Sequence, residues 1–354
     1  MEAASVPVER RAAPGEVVRE YVSKYGLIAV LLVMPVAFGI NDLTSGEGDL
    51  SRLGNNLLDG VSNGSIWALV AIGYTLVYGI VELINFAHGE VFMIGSFVSA
   101  GFFTTIGLTE STGTSLLILG LLLTLPVAML ASGMLNTMIE RVGYRPLRSA
   151  PKLAPLITAV GFSFILQNVG LLWRGGSQEG IPDLINSQHD LFNIGGVVFT
   201  NGDVLAVLVT IPLLLVMTAF IGRSRLGKAM RATAQDPEAA RLMGINVDTT
   251  ISLTFLIGGM LAGAAGLIYA LYQTTIWYFQ GFTAGLVAFT AAVMGGIGNI
   301  RGAVLGGFII GFIQQISDNR IGTAWTPAIV FAYLILIMTF KPSGLLGEQT
   351  REAG

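Results

Sequence analysis

The sequence predicts an all-α, polytopic membrane protein with about ten transmembrane helices. Of its 354 residues, 53% are hydrophobic and only 12% are charged, whereas about 25% of the residues in a soluble domain are charged. The apolar residues form runs close to the roughly 20 residues that a membrane-spanning helix needs. The basic residues concentrate in alternate connections between these runs, as they do in polytopic proteins.

Ten apolar runs are candidate spans, at residues 25–41, 60–81, 88–107, 114–138, 153–173, 203–222, 249–271, 283–298, 301–317 and 324–340. If the N-terminus is cytoplasmic and the chain crosses ten times, every lysine and arginine is cytoplasmic except Arg52, Arg174 and Arg320. Because short basic connections stay in the cytoplasm, this arrangement predicts two cytoplasmic termini. It also predicts an external loop at 174–202.

These spans divide the chain into four regions. They are a cytoplasmic tail (1–24), an additional span with an external connection (25–56), a transmembrane domain (57–345) and a second cytoplasmic tail (346–354). The first apolar run is not followed by a small-residue cleavage site, which favours a retained span over a signal peptide.

The composition argues against several kinds of site. The chain has no cysteine and only two histidines, so disulfides and thiolate metal sites are excluded and a zinc site is not expected. Motifs typical of hydrolases are missing as well. We therefore expect no metal, no catalytic residue and no nucleic-acid partner.

One segment comes close to a nucleotide-binding P-loop. Residues 222–229 read GRSRLGKA, but Ala229 stands where the motif requires a Ser or Thr to bind Mg²⁺. The segment also follows an apolar span rather than a strand. We interpret it as a solvated cytoplasmic connection and expect no ATP site in this chain.

Small residues recur four positions apart in the last four spans. This spacing places them on one helical face and lets two helix backbones approach closely. We favour packing within the chain over an interface with a second membrane subunit. The pairs are Gly259 and Gly263, Ala262 and Gly266, Gly302 and Gly306, and Gly307 and Gly311.

Polar residues interrupt the apolar pattern at the start of the second span and again before the third. Polar groups inside a bilayer are costly and usually face a cavity or a partner. We expect those in these two stretches either to satisfy backbone where a helix unwinds, as Gly64-Ser65 favours, or to hydrogen-bond a solute. The candidates are Asn63, Ser65, Asn85 and His88.

The second of these stretches has an alternative interpretation as a cytoplasmic turn. Glu82 and Glu90 would then flank a short loop in water, and Asn85 would cap the following helix.

A glycine-rich segment, residues 294–302, separates the eighth and ninth spans. Because each glycine costs a helix about 1 kcal/mol relative to alanine, we expect a hinge or a turn at Gly295, Gly296 and Gly298. Paired glycine-interrupted segments are typical of internally repeated transporters, and 60–90 and 281–307 form such a pair.

The polar stretch 223–244 carries five basic residues and is predicted to be cytoplasmic. After Pro237 a helix-prone run, Glu238 to Met243, ends at Gly244. A short helix held at the inner face of a membrane domain is suited to binding a cytoplasmic partner.

Three stretches together resemble the LivH family, the permease subunits of bacterial ABC importers for branched-chain amino acids. They are NGSIWALVAIGYTLVYGIVELINFAHGEVFMIGSF (63–97), RATAQDPEAARLMGI (231–245) and VMGGIGNIRGAVLGG (293–307). The resemblance extends over about residues 55 to 345. Urea and short-chain amide permeases carry closely similar motifs and remain the alternative for the solute. Residues 1–55 are longer than is typical of the family.

The resemblance implies one subunit of a larger importer in the bacterial inner membrane. A second, homologous permease, two cytoplasmic ATPases that bind ATP and Mg²⁺, and an external solute-binding protein would complete it. The chain itself would carry no cofactor. The residues that match the family's ATPase-coupling loop are Glu238, Ala239, Ala240 and Gly244.

A stand-alone channel or ion-coupled transporter is the alternative from another class. It would need acidic groups within the membrane for proton or sodium coupling. The available acids, Asp59, Glu82 and Glu90, are all predicted near span ends, so the permease subunit is favoured.

Overall fold

The computed structural model describes residues 36–37, 40, 50–151 and 153–347. The predicted span 25–41 lies outside the described residues apart from 36–37 and 40. The described helices are α1 (Leu50–Val81), α2 (His88–Thr105), α3 (Thr114–Ile139), α4 (Leu153–Arg174), α5 (Asn201–Arg223), α6 (Arg225–Gln235), α7 (Pro237–Leu242), α8 (Val247–Gln273), α9 (Gln280–Gly295), α10 (Ile300–Arg320) and α11 (Thr326–Phe340).

The all-α, polytopic prediction is confirmed. Within the described part of the chain, seven helices are long and apolar enough to cross a membrane, and α9 is a shorter apolar helix. Helix α1 begins at Leu50 rather than at residue 60, so the regional boundary drawn at residue 56 falls inside it. The count of about ten spans is therefore approximate.

Four short strands were not predicted. β2 (Asp190–Ile194) and β3 (Val197–Thr200) form an antiparallel hairpin, and β1 (Glu179–Gly180) pairs with β4 (Thr275–Ile276). β1, β2 and β3 lie in the predicted external loop 174–202, and β4 lies in the connection after α8. Strands of two to five residues are too short to show a strand periodicity in the sequence.

The long helices run alternately between two opposite faces. The hairpin face contains the β2–β3 hairpin and the start of α1, where the backbone N–H of Val198 donates to Oδ1 of Asn55 at 2.8 Å. The α7 face contains α7, the residues after α3 and the start of α8, where Arg145 and Asp248 form an ion pair at 2.9 Å.

Helices α2 and α9 both begin inside the bundle rather than at a face. His88, the first residue of α2, lies against Gly73 of α1. Gly73 precedes the end of α1 at Val81 by eight residues, or about 12 Å along the axis. Gly285, in the second turn of α9, lies against the hydroxyl of Tyr74. Two helix N-termini are thus buried at a similar depth.

Small residues hold the central helices together, as predicted for packing within the chain. Gly311 of α10 lies against Gly64 of α1, and Gly307 lies against Ala68. Gly263 of α8 likewise lies against Ala128 of α3. Because these residues lack bulky side chains, backbones approach each other closely enough for dispersion forces to stabilise the bundle.

The expected helix break at Gly64-Ser65 is wrong. Helix α1 is continuous from Leu50 to Val81. A Cβ at Gly64 would lie 2.8 Å from the Cα of Phe308. The glycine is therefore required for contact with α10 rather than for an unwound segment.

Candidate translocation pathway and coupling segment

A polar seam joins α1 and α10 in the half of the bundle nearest the hairpin face. Asn63 Nδ2 donates to Oε1 of Gln315 at 3.1 Å, and Gln315 Nε2 donates to Oδ2 of Asp59 at 2.8 Å. One turn deeper, Trp67 Nε1 donates to Oε1 of Gln314 at 2.7 Å. Amides and a carboxylate in this arrangement offer exchangeable hydrogen bonds to a polar solute.

Helix α5 extends this seam through a buried acid. Ser62 Oγ donates to Oδ1 of Asp203 at 2.7 Å, and the hydroxyl of Tyr272 donates to the same oxygen at 3.3 Å. The other oxygen of Asp203 accepts from Oγ1 of Thr200 at 2.7 Å and completes a capping box at the start of α5. Both carboxylate oxygens of Asp203 therefore accept hydrogen bonds from the protein itself, which assigns this residue a structural role.

A second polar cluster surrounds Glu90 where the two buried helix N-termini meet. Glu90 is in the first turn of α2 and its side chain is fully buried. Oε1 of Glu90 accepts from Ser163 at 3.2 Å and from Gln167 at 3.1 Å, both on α4. A Cβ added at Gly281, in the first turn of α9, would overlap Oε2 of Glu90.

Several buried polar atoms near Glu90 have no hydrogen-bond partner among the described residues. They are Oε2 of Glu90, Nε2 of Gln280 and both ring nitrogens of His88. The His88 ring instead packs edge-on against Tyr74, with centroids 4.7 Å apart. Because buried polar groups are normally satisfied, this cluster is suited to exchange partners with a polar solute or water.

The burial of Glu90 contradicts the alternative in which it flanked a loop in water. Glu82 is exposed, as that alternative requires, but Glu90 lies inside the bundle. The N-cap position of α2 is Ala87, without a side-chain cap, so Asn85 does not cap this helix. The error arose because hydropathy alone cannot show that α2 begins below the surface.

Asn85 belongs to a network that joins the α1–α2 connection to α3 and α8. Its Nδ2 donates to Oδ1 of Asn136 at 3.1 Å, and Asn136 Nδ2 donates to the carbonyl of Phe255 at 2.7 Å. Oδ1 of Asn85 accepts from the hydroxyl of Tyr144 at 3.1 Å. Tyr144 ends a π-helical turn, Glu140–Tyr144, that follows α3.

The four predicted path residues do not form one side-chain cluster. Asn63 contacts α10 and Asn85 contacts α3. Ser65 is buried, and its hydroxyl has no hydrogen-bond partner in the described part of the chain. His88 lies one turn from Asn85 and shares only a backbone hydrogen bond with it, at 3.0 Å. Their roles in transport stay predictions.

The glycine-rich segment forms a tight turn between α9 and α10. Gly296 and Gly298 have φ values of 107° and 90°, which favour glycine. The amide groups of Leu345 and Leu346 donate to the carbonyls of Met294 and Gly295 at 2.8 and 2.9 Å. The C-terminal segment thus packs on this turn, and hinge motion at Gly295, Gly296 and Gly298 stays a prediction.

Helix α7 is a short, well-capped helix on the α7 face. Oδ1 of Asp236 accepts from the amides of Glu238 and Ala239, both at 2.9 Å, which caps the N-terminus. At the other end, the amide of Gly244 donates to Arg241 and that of Ile245 donates to Ala240, both at 3.0 Å. This Schellman motif needs a left-handed residue, and Gly244 has φ +83°.

The outer surface of α7 is available for contact. Ala240 is buried and anchors the helix, whereas Glu238, Ala239 and Gly244 are exposed. Leu242 and Met243 are 88% and 83% exposed. Helix α6 before it and α8 after it both pack on α1, so α7 is connected on both sides to the centre of the bundle.

Comparison with known proteins identifies the fold family. Residues 56–339 match the model of the family described as branched-chain amino acid transport system / permease component. The chain belongs to this family. The match covers every described long helix, from most of α1 to nearly the end of α11.

The permease is also similar to curated relatives over most of its length. It is 41% identical over 294 residues to the high-affinity branched-chain amino acid transport system permease protein BraD of Pseudomonas aeruginosa, covering 82% of this chain and 95% of that protein. It is 41% identical over 296 residues to the corresponding LivH of Escherichia coli, covering 82% and 94%. A probable LivH of Methanocaldococcus jannaschii is 26% identical, over 80% and 89%. No solved structure matches the permease.

Several polar residues of the permease do not stand out in the sequence. Those of α10 and α5 lie within apolar runs that predict ordinary spans, where a single polar residue gives little signal. Gln315 and Asn319 of α10 are four residues apart. Because residues at this spacing share a helical face, the sequence does indicate a polar face on α10. The missed residues are Trp67, Ser163, Gln167, Asp203, Gln280, Gln314, Gln315 and Asn319.

Proposed function

We propose that this permease is a membrane subunit of an ABC importer that carries branched-chain amino acids into the cell. The 41% identity to BraD and LivH over 82% of the chain supports this solute class. ATP and Mg²⁺ would be bound by partner ATPases, and this chain would contribute no catalytic residue. A second permease and an external solute-binding protein would complete the importer.

The observation that carries the ATP-driven part of the proposal is the exposed, doubly capped helix α7. Its caps fix both ends, while Leu242 and Met243 present apolar side chains outward. Exposed apolar side chains clustered among charges are typical of a protein interface. An ATPase cleft that closes around α7 on binding ATP would also move α6 and α8, because both helices are connected directly to α7.

The orientation follows from the basic residues. The α7 face would be cytoplasmic, because Arg141, Arg145, Arg223, Arg225 and Arg241 lie at or near it. The hairpin face would then be external and would receive the solute-binding protein. Both termini of the chain would be cytoplasmic, in the inner membrane of a bacterium.

The polar seam and the Glu90 cluster would supply successive weak contacts along the path. A branched-chain amino acid is a zwitterion with an apolar tail. The free oxygen of Glu90 suits its ammonium group, and the buried N-termini of α2 and α9 suit its carboxylate. Tight binding here would slow release, so contacts that exchange easily favour transport.

Uptake in a reconstituted system tests the proposal. The permease would be purified with its co-expressed operon partners, placed in vesicles with the solute-binding protein, and assayed with radiolabelled leucine and radiolabelled urea. We expect leucine uptake that stops when Mg-ATP is omitted or replaced by a non-hydrolysable analogue. Urea uptake instead would support the ABC-importer assignment but contradict branched-chain amino acids as the solute. Uptake of either without ATP would contradict the ABC mechanism.

A further inference from the structure

A groove on the α7 face lies between the end of α3 and the start of α8. It encloses about 550 Å³ and is separate from the polar seam, the Glu90 cluster and the outer surface of α7. One side of helix α3 is exposed along its length, with Met134 and Met138 each 61% exposed. In a membrane protein such a surface contacts lipid or another subunit.

The groove changes from polar to apolar along its length. At its mouth are Arg141, Arg145 and Thr249, and farther along the two helices, away from the α7 face, are Met134 and Leu256. From Arg145 to Met134 the chain descends eleven residues of helical backbone, or about 16 Å at the rise of an α-helix. A charged mouth followed by an apolar interior of this length matches a phospholipid headgroup and the beginning of its acyl chains.

The charges at the mouth leave an excess of positive charge. Arg148 pairs with both Glu140 and Asp248, and Arg145 also pairs with Asp248. Arg141 is exposed and makes no ion pair within the part of the chain that the structure describes. Three guanidinium groups thus face two carboxylates. Arginine binds phosphate oxygens through two parallel hydrogen bonds.

We propose that this groove binds an anionic phospholipid of the cytoplasmic leaflet, with the phosphate on Arg141 and an acyl chain along Met134 and Leu256. Basic pockets between membrane helices on the cytoplasmic side are suited to anionic headgroups. The lipid lies beside the chain that leads from α7 into α8, since Asn246 and Asp248 line the same mouth. A bound lipid would support the segment that transmits force from α7.

Lipid titration followed by native mass spectrometry tests the proposal. The full permease, alone and within its co-purified complex, is titrated with phosphatidylglycerol and with phosphatidylcholine of identical acyl chains. We expect preferential phosphatidylglycerol adducts in both samples. Arg141→Gln should weaken phosphatidylglycerol binding about fivefold, the effect of about one interfacial cation. Millimolar inorganic phosphate should not displace the lipid, because the acyl chain contributes to binding.

Two further variants locate the site. Arg223→Gln removes another exposed arginine, at the end of α5, on the same face but outside the groove, and should leave binding unchanged. Thr249→Trp fills the mouth from an exposed position and should weaken binding of both lipids. Equal affinities for the two lipids, equal effects of the two arginine variants, or unchanged binding in Thr249→Trp would each overturn the proposal. Adducts that vanish in the complex would mean that another subunit covers the groove, which would overturn it as well.

Discussion

At the scale of single residues, Glu90 is a costly group to bury inside the bundle. An ionised carboxylate out of water is stable only when its oxygens are hydrogen-bonded or paired. Ser163 and Gln167 satisfy Oε1, but Oε2 has no partner among the described residues. Since the protein retains a half-satisfied acid between two helix N-termini, we infer that transport uses the second oxygen.

Replacing Glu90 by glutamine tests that inference. Glutamine has the same shape and can still accept from Ser163 and Gln167, so the fold should be retained. A charged hydrogen bond to the solute is worth about 1.5–3 kcal/mol, and its loss should reduce leucine uptake by at least about tenfold. Uptake per inserted molecule and the melting temperature in detergent are the measurements.

Glu82→Gln is the matched control, because Glu82 is exposed at the other end of the same connection. It removes the same charge and should change uptake by less than about twofold, the scale of a surface substitution. Wild-type uptake by Glu90→Gln would show that the second oxygen of Glu90 does not contact the solute.

A separate prediction concerns the packing of Gly281 against Glu90. A Cβ added there would overlap the carboxylate of Glu90, and it would lie 2.9 Å from the Cα of Glu90. Gly281→Ala should therefore destabilise the permease by about 1–3 kcal/mol, as overpacking does. Gly161→Ala is the control, because a Cβ at this helical position of α4 meets nothing within 4 Å. Thermal unfolding in detergent should show a lower midpoint only for Gly281→Ala.

At the scale of elements, the sequence predicted helix boundaries best where they depend on residues close together in the chain, such as the ends of apolar runs and the caps. Helices α3, α4 and α8 begin and end within two residues of the predicted spans. The end of α7 before Gly244 was predicted from the helix-prone run that this glycine closes, and the structure shows the Schellman motif that causes it. Local signals of this kind need no knowledge of what packs nearby.

The elements that were missed depend on distant contacts. Helix α1 continues through Gly64 because α10 lies against it, and no residue close in sequence indicates that contact. In the same way, α2 begins below the surface because His88 fits beside Gly73. Asn85 and His88 stand out in the sequence as polar residues beside apolar spans, but their neighbours Asn136, Tyr144 and Tyr74 are known only from the fold.

The coupling role of α7 can be tested at its C-terminal cap. Gly244→Pro would force φ from +83° to about −65° and remove the amide that donates to Arg241. Such a local change costs on the order of 1–3 kcal/mol. It should abolish ATP-driven leucine uptake while the permease still inserts, because only α7 is displaced. Uptake and insertion are measured in the same vesicles.

Gly175→Pro is the matched control for this prediction. Gly175 has the same φ of +83°, and a Cβ there also meets nothing within 4 Å. Its amide donates to Leu171 at 2.9 Å, so the same geometry is disturbed near the hairpin face. Uptake should persist in Gly175→Pro. Equal loss in both variants, or normal uptake in Gly244→Pro, would argue against coupling through α7.

At the scale of the whole molecule, the two faces have different proposed functions: the α7 face would bind the ATPases, and the hairpin face would receive the solute-binding protein. Basic residues predict which face is cytoplasmic, and that sidedness stays a prediction. The described long helices alternate between the two faces. The sequence could not show that α2 and α9 both start at depth, because that arrangement depends on four helices meeting at Glu90. The proposed solute contacts thus lie between the faces, where motion of α7 would reach them through α8.

Cysteine labelling tests the orientation of the faces directly. The chain has no native cysteine, so a single introduced thiol reports one position. Gln188 is exposed beside the hairpin, and Met243 is 83% exposed next to α7. In intact spheroplasts, a membrane-impermeant maleimide should label Gln188→Cys and leave Met243→Cys unlabelled until the membrane is opened. The thiol at residue 188 reacts because the hairpin face would be external, while the thiol at residue 243 would be shielded by the bilayer. The reverse pattern would invert the topology and place the ATPase contacts on the opposite face.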